Sequence, residues 1–338
     1  MSLVPEEKEG PSPWRFCVAP MMDWTDRHCR FFHRQLAPHA RLYTEMVTTP
    51  ALLHGDVPRH LDFDAQERPV ALQLGGSEPA DLAHCAKLGE QWGYNEINLN
   101  CGCPSERVRR GAFGACLMAE PALVRDCVRA MIDALRDPLR MPVTVKHRIG
   151  IDRRDDYGFV RDFVGTVAEG GARVFIVHAR SAWLSGLSPK ENREIPPLRY
   201  AFAMQLRQDF PQLTFVVNGG IATHAEVAQR LAECEGVMIG RQAYHDPWWL
   251  AEADERCFGP AGAPVSREGV MAAMREYAAR AVAGGAPLRA VTRHMLGLYQ
   301  GMPGARAWRR QMSDSRELAA NDPDMILRAA DNWRPAAA

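Results

Sequence analysis

At 338 residues the chain is long enough for a full-sized α/β domain and a smaller appendage. Apolar residues make up 46% and charged residues 24%, with acidic and basic side chains in equal number. That balance excludes a disordered chain and argues against indiscriminate binding to polyanions.

No apolar run approaches the roughly 18–20 residues of a membrane span. Residues 1–10 are acidic and polar, unlike a signal peptide, and residues 1–14 are expected to form a frayed tail. The nine cysteines, an odd number scattered from Cys17 to Cys257, fit a reducing cytoplasm rather than a disulfide framework. Cys101 and Cys103 form C-x-C with no second Cys/His pair at zinc spacing, so no metal site is expected.

Eight short apolar or β-branched runs then recur, at residues 16–19, 42–46, 70–74, 96–99, 143–146, 174–177, 214–217 and 236–239. Residues 80–92 and 121–135 between them carry apolar side chains at three- and four-residue spacing; 155–169, 198–209 and 224–231 do so less cleanly. This alternation predicts an α/β fold, a (β/α)8 TIM barrel spanning residues 15–258. A doubly wound sheet is the alternative, but no Gly-rich fingerprint follows the first run.

A barrel puts its chemistry at the C-terminal ends of its strands. In chain order those ends carry Pro20-Met21-Met22, Thr44-Glu45-Met46, Gln73, and the stretch Asn98-Leu99-Asn100-Cys101-Gly102-Cys103-Pro104-Ser105. Lys146-His147-Arg148, His178-Ala179-Arg180, Asn218-Gly219-Gly220 and Gly240-Arg241 complete the set. A thiol in the fourth loop is suited to act as nucleophile, metal ligand or proton donor, and the loop alone does not choose. The glycines after the last two strands, with Arg241, form a pattern that cradles a phosphate. With Lys146 and His178 at the same mouth, flavin mononucleotide (FMN) fits: one phosphate, a planar ring for the amide of Gln73, and a cation at its pyrimidine edge.

Beyond Phe258, residues 259–264 read as a linker, and residues 270–283, 286–300 and 305–318 as helices. Residues 286–313 hold five arginines (Arg289, Arg293, Arg306, Arg309, Arg310) and no acidic residue. That is a locally basic surface suited to phosphates on folded RNA. A helical domain over residues 259–338 is expected to carry it.

Three stretches resemble tRNA-dihydrouridine synthases: Val18-Ala19-Pro20-Met21-Met22-Asp23-Trp24-Thr25-Asp26, the Asn98–Ser105 stretch, and Gly111-Ala112-Phe113-Gly114-Ala115-Cys116-Leu117-Met118. The run from His178 to Leu198, with Arg293-His294-Met295-Leu296-Gly297-Leu298 and Gly304-Ala305-Arg306-Ala307-Trp308-Arg309-Arg310, is similar to the A subfamily. The resemblance runs from Arg15 to Met312.

It implies an FMN barrel followed by a small helical tRNA-binding domain. FMN would be held by Pro20, Met21, Met22, Gln73, Lys146, His178, Asn218, Gly219, Gly220, Gly240 and Arg241. The implied reaction reduces uridine to 5,6-dihydrouridine in the tRNA D-loop, at position 20 and 20a, with NADPH as reductant. Cys103 would protonate C5, since a thiol in general carries its proton near neutral pH. Asn100 would hold the uracil edge by two hydrogen bonds. Lys146 and His178 would share the stabilisation of negative charge, in a division left open.

Cys101 stands where the family pattern suggests an aliphatic residue, and a structural role is expected for it. Lys190, Arg193, Arg306 and Arg309 are expected to contact tRNA at its D-loop and elbow, by shape rather than by sequence. The target base would be drawn out of its tertiary setting. A monomer in the cytoplasm is expected.

Two other readings compete. A flavin reductase of free pyrimidines, similar to dihydroorotate dehydrogenases, would not need the arginine-rich extension. A non-catalytic RNA-binding barrel would not need Cys103, Lys146 and His178 together.

Overall fold

A computed structural model describes residues 11–106, 108, 111–260 and 264–333. Residues 1–10 of the expected tail and 261–263 of the expected linker lie outside the described residues. Among the described residues no helix is long and apolar enough to cross a membrane.

Nine parallel strand segments form one closed sheet: β1 (Phe16–Val18), β2 (Arg41–Tyr43), β3 (Val47–Thr48), β4 (Val70–Gly75), β5 (Glu96–Cys101), β6 (Val143–Arg148), β7 (Val174–His178), β8 (Thr214–Asn218) and β9 (Gly236–Ile239). Each pairs with its neighbour, β1 with β9, and both β2 and β3 with β4, which closes an eight-position barrel. The expected second strand is therefore interrupted. Thr44 turns its hydroxyl to the Glu45 carbonyl at 2.7 Å and accepts the Gln73 amide at 3.0 Å, so side-chain bonds replace the ladder there.

Helices α1 (Arg27–Leu36), α2 (Thr49–Leu53), α3 (Val57–Leu61), α4 (Pro79–Gln91), α5 (Pro121–Ala134), α6 (Tyr157–Glu169), α7 (Tyr200–Asp209), α8 (His224–Glu233), α9 (Arg241–His245) and α10 (Trp249–Phe258) accompany the strands. Successive strand side chains point to opposite faces. On β5, Ile97, Leu99 and Cys101 join the large core beneath the helices, while Glu96, Asn98 and Asn100 occupy the alternate positions. A second apolar cluster of Cys17, Ala19, Tyr43, Ala71, Val174, Ile176, Val216 and Met238 fills the interior. At the N-terminal end Trp14 donates to Glu96 at 2.7 Å, which anchors the segment preceding β1.

The C-terminal helices are α11 (Arg267–Ala283), α12 (Leu288–Thr292), α13 (Ala305–Met312), α14 (Ser315–Ala319) and α15 (Met325–Trp333). Two expected helices are shorter than the sequence suggests. The first ends at Thr292, and turns run on to Gly301 and Gly304, both at positive φ. The second breaks at Ser313, because Asp314 accepts the Arg316 and Glu317 amides and starts a new helix.

This module packs on α1. Tyr277 stacks on Phe31 at 4.0 Å, and Asp26, the N-cap of α1, accepts from Arg293 at 2.5 Å and His294 at 3.0 Å.

Candidate active site

The C-terminal ends of the strands open into a cavity of about 1460 Å³ that extends to Pro287 and Ala290 of the C-terminal module. It is lined by Pro20, Met21, Met22, Gln73, Asn100, Cys103, Lys146, His178, Arg193, Asn218, Gly219, Gly220, Gly240 and Arg241. Every residue expected to bind the flavin therefore faces one space. Lys190, Arg306 and Arg309 are exposed and lie outside it.

Cys103 is placed by its backbone. Its N–H donates to Asn100 Oδ1 at 2.9 Å, as does that of Gly102 at 3.0 Å, and its carbonyl accepts from Ala115 at 2.9 Å. Gly114, at φ +74°, is required beside it: a Cβ there would sit 2.6 Å from the Cys103 carbonyl oxygen. Cys101, two residues earlier, points to the other side of β5. It is fully buried, and its thiol is pushed well up by burial and then by Cys127 and Cys116. The structural reading of Cys101 agrees with that position.

Asn100 departs from its expected role. Both lone-pair directions of Oδ1 are used by backbone amides, and Nδ2 donates to Gln73 Oε1 at 2.8 Å. One N–H remains for a ligand, rather than the donor–acceptor pair that two bonds to a uracil edge require.

The structure separates Lys146 from His178. Burial, then the charge of Arg148, lowers the Lys146 amine to about 7, so it gains or loses its proton near neutrality. Burial, then Arg148, Lys146 and Arg180, holds His178 well below its ordinary value, so its imidazole is neutral. His178 Nδ1 is buried without a hydrogen-bond partner.

The glycine end also differs in detail from expectation. Gly219 (φ +113°) and Gly220 (φ +74°) need their conformational freedom, and a Cβ on Gly220 would meet Leu198 at 2.6 Å. Their amides, with that of Gly240, have no partner among the described residues. Just ahead of α8, Glu226 accepts from both Ala222 and Thr223 at 2.9 Å, so those two amides are taken. The glycine amides and the nearby guanidinium groups are donors left at this end of the cavity. Arg241 pairs with Glu194 at 2.8 Å. Arg193, expected on the RNA, lines this cavity, its acidity raised by burial and by Arg241.

Two arginines at the expected strand ends carry no predicted role. Arg148 is buried, donates to the carbonyls of Gly102 at 3.1 Å and Asn192 at 3.0 Å, and is lowered to about 10 by burial. It ties the Cys103 loop to the segment after β7. Arg180 donates to the carbonyls of Glu194 and Pro196. Both stand at strand ends in the sequence, and only Arg148 lines the cavity.

In the C-terminal module, Arg306 and Arg309 project from α13 into solvent, and Arg309 donates to Gln300 at 2.9 Å. Arg293 is instead engaged by Asp26, so the basic surface is smaller than the arginine count suggests.

Residues 17–331 match the family described as dihydrouridine synthase. Similar curated proteins include the tRNA-dihydrouridine(20/20a) synthases of Pseudomonas aeruginosa, 56% identical over 94% of this chain and 96% of that protein, and Salmonella typhimurium, 54% identical over 97% and 98%. The protein of that name from Escherichia coli K12 is 53% identical over 97% of this chain and 94% of its own length.

Proposed function

The chain belongs to the dihydrouridine synthase family, whose members are flavin-dependent oxidoreductases, and from that premise we propose that it reduces uridine 20, and 20a, in the D-loop of tRNA. We further propose FMN as the flavin and NADPH as its reductant. The observation that carries this reading is one cavity wall shared by Cys103, Lys146 and His178.

The residues fit FMN. The amides of Gly219, Gly220 and Gly240, with Arg193 and Arg241, offer donors and charge to one phosphate. Gln73 and His178 line the wall where the polar edge of a ring would lie, and Pro20, Met21 and Met22 would supply apolar contact. When bound, the reduced flavin supplies a hydride to uracil C6.

The chain's own groups complete the addition of two hydrogens across C5–C6. The Cys103 thiol gives its proton to C5, and the resulting thiolate regains one from water. Lys146, when cationic, stabilises negative charge that gathers on the C4 carbonyl side of the ring. His178, neutral, serves as a hydrogen-bonding group rather than a second cation. Arg148 holds the loop that carries the thiol.

We assign tRNA binding to Arg306, Arg309 and Lys190, all exposed outside the cavity, with Arg193 at its edge. The barrel (residues 15–258) and the helical module (residues 259–338) are the proposed catalytic and RNA-binding domains.

The test is mass-spectrometric nucleoside analysis of unmodified tRNA incubated with the protein, FMN and NADPH. The expected result is uridine heavier by two hydrogens, mapped to the D-loop. A yellow, NADPH-reducible protein that leaves the tRNA unchanged would overturn the substrate assignment.

A further inference from the structure

A continuous line of buried side-chain hydrogen bonds crosses the barrel interior from its floor to the Cys103 loop. Glu96, fully buried, lies at its foot, where its two oxygens receive Arg41 (3.1 Å), Trp14 (2.7 Å), Tyr43 (2.9 Å) and the Thr144 hydroxyl. Thr144 Oγ1 accepts from Asn98 Nδ2 at 2.7 Å, Asn98 Oδ1 from Gln73 Nε2 at 2.7 Å, and Gln73 Oε1 from Asn100 Nδ2 at 2.8 Å. Asn100 Oδ1 then accepts the Gly102 and Cys103 amides.

Register makes this line possible. Gln73, Asn98 and Thr144 are direct neighbours across β4, β5 and β6, and so are Asn100 and Lys146.

The direction of every bond is fixed from both ends. At the top, backbone N–H groups can only donate, so Asn100 must present its oxygen to them and its nitrogen to Gln73. At the foot, Glu96 is surrounded by four donors and acts only as acceptor, so Thr144 must donate to it and accept from Asn98. The two constraints agree at Gln73. A primary amide has two N–H groups and this line uses one, so Asn100 meets the cavity only as a donor, and Gln73 keeps a free N–H of its own. Glu96, Asn98 and Thr144 do not line the cavity, whereas Gln73 and Asn100 do.

We propose that Glu96, acting through Thr144 and Asn98, is a positioning residue that holds the hydrogen-bond polarity of the site from below, as the Gly102 and Cys103 amides hold it from above. It holds Gln73 and Asn100 each with one N–H free, so that an acceptor on the ligand, such as a ring carbonyl, is matched there. This inference rests on the flavin and pyrimidine reading above.

The test compares FMN affinity, read by quenching of flavin fluorescence, with thermal melting for the full-length wild type, Thr144→Val and Thr144→Ser. Valine keeps the shape of threonine and removes the hydroxyl that links Asn98 to Glu96, whereas serine retains it. Thr144→Val is expected to weaken FMN binding at least tenfold while remaining folded, and Thr144→Ser to return it to within about threefold of wild type. A merely structural line would lower the melting temperature of Thr144→Val and leave the FMN affinity of its folded form unchanged. That outcome overturns the proposal alone. A wild-type protein that binds no FMN overturns the flavin reading and this inference together. Should Thr144→Val not fold, Glu96→Gln takes its place, since it puts an N–H among donors, and unchanged FMN affinity in that variant overturns the proposal.

Discussion

The side-chain oxygen of Asn100 accepts the backbone N–H of Cys103 at 2.9 Å, so the strand that ends at the cavity also sets the position of the thiol. The Cys103 loop is thereby held by an amide that has no hydrogen-bonding capacity left except one N–H.

A first prediction concerns the two thiols flanking Gly102. Cys103→Ala is expected to leave NADPH-driven flavin reduction intact and to lower dihydrouridine formation by about 10²–10⁴-fold, the usual reach of a lost general acid. Cys101→Ala should turn over close to wild type, because that thiol packs away from the cavity. Single-turnover assays separate the two steps, and an inactive Cys101→Ala beside an active Cys103→Ala would reverse the assignment.

Lys146 gives a stability signature. Burial lowers its amine from 10.5 to about 7 in the folded protein. Between those values the unfolded chain binds a proton that the folded chain does not, so this group makes stability rise with pH from about 7 to about 10.5. Melting of flavin-free protein across that range checks the slope. Lys146→Met should flatten it and stabilise the protein near neutral pH, where the native amine still carries the cost of a buried charge.

The junction of barrel and helical module should be sensitive to acid. Burial alone would raise the Asp26 carboxyl, but bonds and charge from His294, with Cys29 N–H and Arg293, pull it well below its ordinary 3.8. Its contribution is therefore present above about pH 4 and lost as pH falls below that. Asp26→Asn is expected to cost roughly 1–3 kcal/mol at neutral pH and to remove part of the acid-induced loss. Urea titrations at neutral and acidic pH measure both.

Charge reversal on α13 tests the RNA surface. Arg306→Glu combined with Arg309→Glu should weaken tRNA binding and reduce its dependence on salt, while flavin reduction by NADPH continues unchanged. Filter binding at several salt concentrations reads the slope. Undiminished affinity would remove this face from the interface.

Much of the architecture was legible because buried parallel strands are short apolar runs and each ends in a polar group. The run 96–99 became β5, and its loop led to the thiol. The second run was harder to read, since the hydroxyl of Thr44 breaks the ladder and nothing in residues 42–46 announces that bond. The helices after residue 286 were overextended. The expected helix runs through Gly297 to residue 300, but turns take over after Thr292.

The sequence by itself determined the barrel and the ring of polar strand ends, because these depend on local apolar patterning and on motifs contiguous in the chain. Only the tertiary structure decided which polar groups meet. Strand register brought Gln73, Asn98 and Thr144 into one layer, burial made His178 neutral and lowered Lys146, and Glu226 took the amides of Ala222 and Thr223 ahead of α8. Hydrogen-bond partners and desolvation are set across chain separations of tens of residues, and no local pattern encodes them.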